Sequence, residues 1–202
     1  MTENASTPSA TDQSLNFTNT NKWDTRQLVT MALLCAISVL LSFIEFPLIP
    51  GISWLKYDAS CMPAMVVGFA FGPTAGIVVG AVSALIHGMM LGDWVGALMN
   101  IFIVIAMVLP SAAIYRKQHS FKGAIIGLII AVVAAIVVAI VSNLAIDPFY
   151  FGMPFEAVVA LVVPVLLPFN IIKAIINSVL TIVIYKSISN LITPKKKQVV
   201  GR

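Results

Sequence analysis

Residues 164–185 read PVLLPFNIIKAIINSVLTIVIY and are apolar over the length of a membrane-spanning helix. Lys173 lies inside this stretch, although an ammonium group at membrane depth costs roughly 2.5–3.5 kcal/mol on insertion scales. Asn170, Asn177 and Thr181 fall at helical spacing from Lys173, so one face of the predicted helix is polar. A polar face inside a bilayer indicates a partner, a cavity or a ligand on that side.

The composition of the whole chain resembles that of this stretch. Of its 202 residues, 59% are hydrophobic and 10% are charged, whereas soluble domains carry about 25% charged residues. We therefore predict an all-α membrane protein. The phosphate-binding pattern G-x-x-x-x-G-K-[ST] does not occur in the sequence, so active transport would need ion coupling or an ATPase partner.

Six transmembrane helices in one bundle are predicted from the apolar segments. The second segment is short, because at 1.5 Å per residue it falls well below the ~30 Å hydrocarbon core. The segments are residues 28–46, 61–71, 74–91, 94–115, 123–146 and 165–191. They form one substrate-binding domain, residues 26–191, between a polar N-terminus, residues 1–25, predicted to be disordered, and a basic tail, residues 192–202.

The basic residues indicate the orientation in the membrane. With six crossings, ten of the twelve lysines and arginines lie on one side, in both termini and in the connection between segments four and five. The positive-inside rule then places both termini in the cytoplasm. The basic charge therefore reflects membrane topology, and no nucleic-acid partner is predicted.

Polar and aromatic residues at similar depth near the outer face predict a binding pocket that is closed toward the cytoplasm. Asparagine both donates and accepts hydrogen bonds, and lysine donates to a carbonyl or pairs with an anion. This chemistry suits a flat, amide-rich heterocycle covered by an aromatic ring. Hydrogen bonds between helices are the alternative role for Asn100 and Asn143. The candidate substrate-binding residues are Asn170, Lys173, Asn143, Trp54, Tyr57, Asp58, Asn100 and Asn177.

A connection rich in proline, glycine and aromatic residues is predicted over residues 147–156. Its aromatic side chains suit the membrane interface, where they would anchor the bundle. The alternative is a lid over the pocket.

Small residues at helical spacing indicate close helix contacts on two segments. Ala32 and Ala36 form such a pair on the first segment, and Gly76 and Gly80 form another on the third. Each pair favours either packing inside the bundle or a docking face for a partner subunit.

Several short motifs resemble the substrate-binding S component of energy-coupling factor (ECF) vitamin transporters, with the closest likeness to riboflavin-specific members. The resemblance covers about residues 26–191. The proline–glycine pattern of the second and third segments is general to S components, whereas the run PFNIIK is more specific to the riboflavin type. The matching pieces are FP at 46–47, LKYD at 55–58, Pro63, GFAFGP at 68–73, Gly76, PFNIIK at 168–173 and YK at 185–186.

This resemblance implies a vitamin bound near the outer face, under the loop that follows the first span. Asn143, Asn170 and Lys173 would hold the flavin ring, while Ala32 and Ala36 would pack on a transmembrane coupling subunit. Two cytoplasmic ATPases would complete the complex in a bacterial cytoplasmic membrane. Riboflavin would be the transported ligand, with no separate cofactor.

Three alternatives remain open from the sequence. The same scaffold could bind another vitamin, such as a flavin nucleotide, folate or thiamine. A stand-alone ion-coupled permease would need a carboxylate at the membrane midplane, yet Glu45 and Asp147 lie at span ends. A membrane enzyme is not favoured, because H-E-x-x-H, G-x-S-x-G and metal-like spacings do not occur; Cys35 and Cys61 are interpreted as buried apolar residues.

Overall fold

The first helix, α1, covers Thr25–Ser42 and begins at a capping box. The Asp24 carboxylate accepts from the backbone N–H of Thr25 at 2.8 Å, and Gln27 Oε1 accepts from the Asp24 N–H at 3.1 Å. These bonds satisfy N–H groups that a helix start otherwise leaves unpaired. The computed structural model describes residues 23–192, so the predicted N-terminal segment and basic tail lie almost entirely outside the described part.

A short hairpin and a short helix follow α1. Strands β1 (Phe46–Pro47) and β2 (Lys56–Tyr57) pair antiparallel, with Phe46 opposite Tyr57. Helix α2 covers Cys61–Phe71 and packs against α1, α3, α4 and α7. Eight of its eleven residues are buried, which explains how a segment too short to cross the hydrocarbon alone is accommodated.

The remaining helices are long and apolar. Helix α3 covers Pro73–Leu91, α4 covers Trp94–Lys117, α5 covers Phe121–Tyr150, α6 covers Phe155–Leu161 and α7 covers Leu167–Ile192. A π-helical turn, Val162–Leu166, joins α6 to α7 without a break. Within residues 23–192, five helical stretches, with α6 to α7 taken as one, have the length and composition to cross a membrane. With α2, they confirm the predicted all-α, six-segment bundle.

The last segment begins ten residues earlier than the sequence suggested. The predicted apolar segment begins at Val165, after Pro164, whereas the helix starts at Phe155. Proline lacks an N–H and its ring crowds the preceding turn. The π-helical turn contains Pro164 and accommodates it inside a continuous helix.

The predicted connection over residues 147–156 is correspondingly too long. Helix α5 continues through Asp147 to Tyr150, and α6 already includes Phe155 and Glu156. Residues 151–154 alone lie between the two helices, with Gly152 at φ +64°. A proline inside α5, Pro148, makes this region resemble a loop in the sequence, but the helix continues past it to Tyr150.

Small residues bring α2 and α3 close together. A Cβ atom on Gly76 would lie 2.7 Å from Val108 Cγ1 and 2.8 Å from Gly68 Cα, and one on Gly80 would clash with Val104. The glycine pair on α3 therefore packs inside the bundle. Ala32 and Ala36 differ, because both are exposed on the outward face of α1.

Candidate functional site

One cavity of about 450 Å³ lies between the hairpin loop after α1 and the neighbouring ends of α3, α4, α5 and α7. Its volume falls in the range typical of small-molecule sites. The polar residues come from segments far apart in sequence, so the fold creates the site. Six of the eight predicted binding residues line this cavity: Trp54, Asp58, Asn100, Asn143, Asn170 and Lys173.

Lys173 forms an ion pair at the base of this cavity. Its Nζ lies 3.1 Å from Asp58 Oδ2, and both side chains are largely buried. Burial alone raises the pKa of Asp58, but the Lys173 ammonium and hydrogen bonds from Ser60 outweigh it and hold that pKa below its ordinary value. The charge that made residues 164–185 unusual is therefore compensated by a loop carboxylate.

The Asp58 carboxylate is itself held in place by a buried polar chain. Ser60 donates to Asp58 Oδ1 from its backbone N–H at 2.9 Å and from its hydroxyl. The carbonyl of Ser60 accepts from Ser38 Oγ on α1 at 2.7 Å, and Ser38 Oγ lies 2.8 Å from Ser83 Oγ on α3. These bonds fix the loop at the cavity base to two helices.

Two asparagine side chains that line the cavity use their amide N–H groups within their own helices. Asn143 Nδ2 donates to the Ala139 carbonyl at 2.7 Å, and Asn170 Nδ2 donates to the Leu166 carbonyl at 2.8 Å. Each bond reaches one helical turn back and fixes the side-chain rotamer. The amide oxygens are therefore the atoms best placed to accept a hydrogen bond from a ligand.

The other two predicted residues, Tyr57 and Asn177, lie outside the cavity lining. Tyr57 is buried, its hydroxyl has no partner among the described residues, and burial raises its pKa to about 12, with a further contribution from Asp58. Asn177 is fully buried one turn beyond Lys173, where its Nδ2 donates to the Lys173 carbonyl at 3.0 Å.

Aromatic residues lie over the mouth of the cavity. The Trp54 ring, in the loop after α1, lies 5.5 Å from the Phe151 ring beyond α5, measured between centroids. This contact joins the loop after α1 to the connection between α5 and α6. It places Phe151, in the shortened 151–154 connection, beside Trp54 of the cavity lining, and the anchor and lid roles both stay predictions.

Sequence reasoning missed several cavity residues. Glu45 and Lys56 form an ion pair at its rim, and His87 lines its wall while its Nδ1 lies 2.9 Å from Ser42 Oγ. The available signals were a charged residue at the end of the first predicted span for Glu45 and a charged residue in the loop that follows it for Lys56. The contact with Ser42 fixes the His87 ring of α3 against α1.

The cavity inside an apolar helix bundle is the arrangement of a membrane-embedded ligand-binding protein. A family model described as "ECF transporter, substrate-specific component" matches residues 26–185. The chain therefore belongs to the substrate-specific components of ECF transporters. It is thus a membrane transport component, as the fold and the sequence motifs had indicated.

Individual relatives support this assignment over nearly their full length. The riboflavin transporter RibU of Staphylococcus aureus is 35% identical, with 84% of this chain and 94% of that protein covered. The riboflavin transporter FmnP of Bacillus subtilis is 32% identical over 79% of this chain and 90% of its own length. A solved S component of a bacterial ECF transporter matches with a TM-score of 0.73 at 34% identity, covering 84% of this chain and 98% of that one.

Proposed function

We propose that this chain captures riboflavin in the cavity beside Lys173 for ATP-driven import by an ECF transporter. The observation that carries the proposal is the convergence of Lys173, Asn170 and Asn143 on one cavity beneath Trp54. The two relatives with near-complete coverage are both riboflavin transporters, which supports the same ligand here.

The chemistry of a flavin ring suits these groups. Riboflavin has a flat ring system whose carbonyl and imide groups lie along one edge, and an uncharged polyol chain. Lys173 would donate to a ring carbonyl, while Asn143 and Asn170 would accept from the ring N–H or the hydroxyls of the chain. Trp54 would cover the ring face, because aromatic stacking favours flat ligands.

The transport partners follow from the family. An S component without a nucleotide-binding motif would depend on a transmembrane coupling subunit and two cytoplasmic ATPases. Ala32 and Ala36 are our candidates for the contact with the coupling subunit, because they are small, lie one turn apart and are exposed on α1. Both termini would be cytoplasmic, which places the cavity at the outer face.

Flavin binding by the full-length protein in mild detergent is the first test. We expect a flavin absorption spectrum in the purified protein, or saturable quenching of tryptophan fluorescence on titration with riboflavin. If the protein bound thiamine or folate but no riboflavin, the proposed ligand would be wrong and the fold assignment would stand.

Uptake distinguishes the ECF mechanism from a stand-alone permease. Vesicles that contain this chain together with an ECF module should accumulate riboflavin only when ATP is supplied inside. Accumulation driven by an ion gradient, with this chain as the sole protein, would contradict the proposed partners.

A further inference from the structure

A second cavity, of about 370 Å³, lies at the opposite end of the bundle from the cavity beside Lys173. The first cavity is lined by the end of α3 and the start of α4. The second is lined by Gly72, which immediately precedes α3, and by Arg116 and His119, at and just beyond the end of α4. With both termini in the cytoplasm, this second cavity lies at the cytoplasmic surface of the membrane.

The short helix α2 explains why a cavity forms here. It has eleven residues, against 24 in the neighbouring α4. Its end is therefore recessed between the start of α1 and the end of α4, which both line the cavity. The connection from α2 to α3 is the single residue Gly72, at φ +99°, so no loop fills the space beyond the end of α2.

The polar side chains around this cavity can donate hydrogen bonds. Arg116 supplies a guanidinium group, and no carboxylate among the described residues forms an ion pair with it. Gln27 Oε1 already accepts from the Asp24 N–H at 3.1 Å, which leaves the amide NH2 of Gln27 as a donor. The His119 ring packs against Tyr115, with 5.2 Å between centroids, and its nitrogens complete the polar set.

The electrostatic surroundings of the cavity suit an anion. No acidic residue is among the described residues that line it, and the carboxylate of Asp24, next to Trp23 in the chain, caps α1. Helix α3 begins at the cavity without a side-chain cap, so the positive end of its dipole adds to the charge of Arg116. A phosphate group matches this set, because a guanidinium presents several N–H groups to its oxygens.

The position at the membrane surface favours a phosphate that belongs to a lipid. Trp23 lines the cavity, and tryptophan is enriched at the level of the lipid headgroups. Leu28 and Val29, in the first turns of α1, are exposed and would contact the acyl chains of the same lipid. Basic pockets between helices on the cytoplasmic side bind anionic headgroups in other membrane proteins. A free phosphate would have the same polar contacts without the apolar ones.

We propose that this cytoplasmic cavity binds the phosphate group of an anionic phospholipid, with Arg116 as the main contact and Gln27 and His119 as further donors. The inference goes beyond the proposed function, because the site is separate from the cavity beside Lys173 and its test requires no flavin. A bound headgroup would join the start of α1 to the end of α4 across the recessed end of α2.

Quenching of Trp23 fluorescence by brominated lipids tests this binding. The full-length protein with Trp54→Phe and Trp94→Phe retains Trp23 as its single tryptophan and serves as the reporter protein. It is placed in phosphatidylcholine nanodiscs, in which brominated phosphatidylglycerol or brominated phosphatidylcholine replaces increasing fractions of the lipid. We expect phosphatidylglycerol to be enriched about fivefold over phosphatidylcholine beside Trp23, the effect of one basic residue near the membrane surface.

Two neighbouring basic residues provide a matched pair of variants. Arg116→Gln in the reporter protein should lower the enrichment by about three- to fivefold, because the main contact is lost. Lys117→Gln is the control, because Lys117 has the same charge at the next position of α4, is exposed and does not line the cavity. Inorganic phosphate, compared with chloride at equal ionic strength, should leave the quenching by brominated phosphatidylglycerol unchanged.

Loss of the enrichment in Arg116→Gln, with the enrichment kept in Lys117→Gln and in inorganic phosphate, would support the inference. An equal loss in both variants would show that the general basic charge of this surface attracts the lipid, and the inference would be wrong. Displacement of the brominated lipid by inorganic phosphate would assign the cavity to a free phosphate instead. Equal quenching of the reporter protein by the two brominated lipids would overturn the inference and leave the proposed function intact.

Discussion

Lys173 keeps its ammonium group inside the helix bundle because Asp58 compensates the charge from a loop more than one hundred positions earlier. Such a pair contributes little net stability, since desolvation of both groups offsets their attraction. Removing one partner is costly, because the other charge is then buried alone. Substituting one or both residues of this pair should therefore separate its effect on ligand binding from its effect on the stability of the protein.

Lys173→Ala should weaken riboflavin binding strongly and also lower the thermal midpoint in detergent, because Asp58 loses its counter-ion. The double variant Lys173→Ala/Asp58→Asn should recover much of the midpoint without recovering riboflavin affinity. Thermal unfolding and fluorescence titration on the same samples check this. Unchanged affinity in the single variant would refute the assignment of Lys173 to the binding site.

Asp58 also predicts a dependence of stability on pH. Its pKa is lowered in the folded protein, so its contribution is complete above the ordinary pKa of about 3.9 and is lost as pH falls through the lower folded value. We therefore expect the thermal midpoint to drop below about pH 4. In Asp58→Asn the fall in thermal midpoint that comes from Asp58 should disappear. An equal fall in the variant and in the unmodified protein would contradict this role of Asp58.

At the scale of elements, the close contact between α2 and α3 depends on glycine. The Gly76 position has Gly68 and the Ala64 carbonyl on one side and Val108 on the other, so a methyl group there requires backbone movement. The apolar pattern of α3 alone would equally allow leucine or valine at position 76. The spacing of Gly76 and Gly80 indicated a close approach, but did not identify the neighbouring helices.

Gly76→Ala should destabilise the protein by about 1–3 kcal/mol, the usual cost of overpacking a core. Val78→Leu on the same helix is the control, because it adds volume at an exposed position. Thermal unfolding of both variants in the same detergent provides the comparison. Equal midpoints for Gly76→Ala and the unmodified protein would show that α2 can move away from α3.

Local patterns predicted the helices well and the long-range partners poorly. The spacing of Asn170, Lys173 and Asn177 correctly predicted a polar face on α7. It could not reveal that Asn177 lies too deep to line the cavity. Pro164 favours a start of the last segment at Val165, since nothing in the local sequence distinguishes a helix break from a π-helical turn.

The two ion pairs could not be predicted from the sequence, because the fold brings their partners together. Asp58 and Lys173 are joined by tertiary structure, whereas the sequence predicts only that both lie near the outer face. Glu45 was interpreted as a residue at a span end. Its contact with Lys56 depends on the hairpin geometry of β1 and β2.

At the scale of the whole molecule, we expect the cavity beside Lys173 and the exposed face of α1 to serve separate steps of transport. Ligand capture would involve the cavity, whereas assembly with a coupling subunit would involve Ala32 and Ala36. The two alanines are not among the residues that line the cavity. We therefore expect substitutions on this face of α1 to remove transport while leaving capture intact.

Ala32→Leu/Ala36→Leu should abolish ATP-driven riboflavin uptake in vesicles containing the ECF module, because larger side chains prevent close helix approach. Riboflavin affinity in detergent should stay within about twofold of the unmodified protein. Ala160→Leu, at an exposed alanine of α6, is the control. Normal uptake in the double variant would exclude this face of α1 as the docking surface.

The enclosure of α2 has a consequence for biogenesis. Its eleven residues span about 16 Å at 1.5 Å per residue, and other helices rather than lipid surround most of it. A nascent chain that ends after Phe71 would therefore present the bilayer with a second apolar segment too short to span it alone. We expect α2 to insert together with α3 and α4, the helices that cover it.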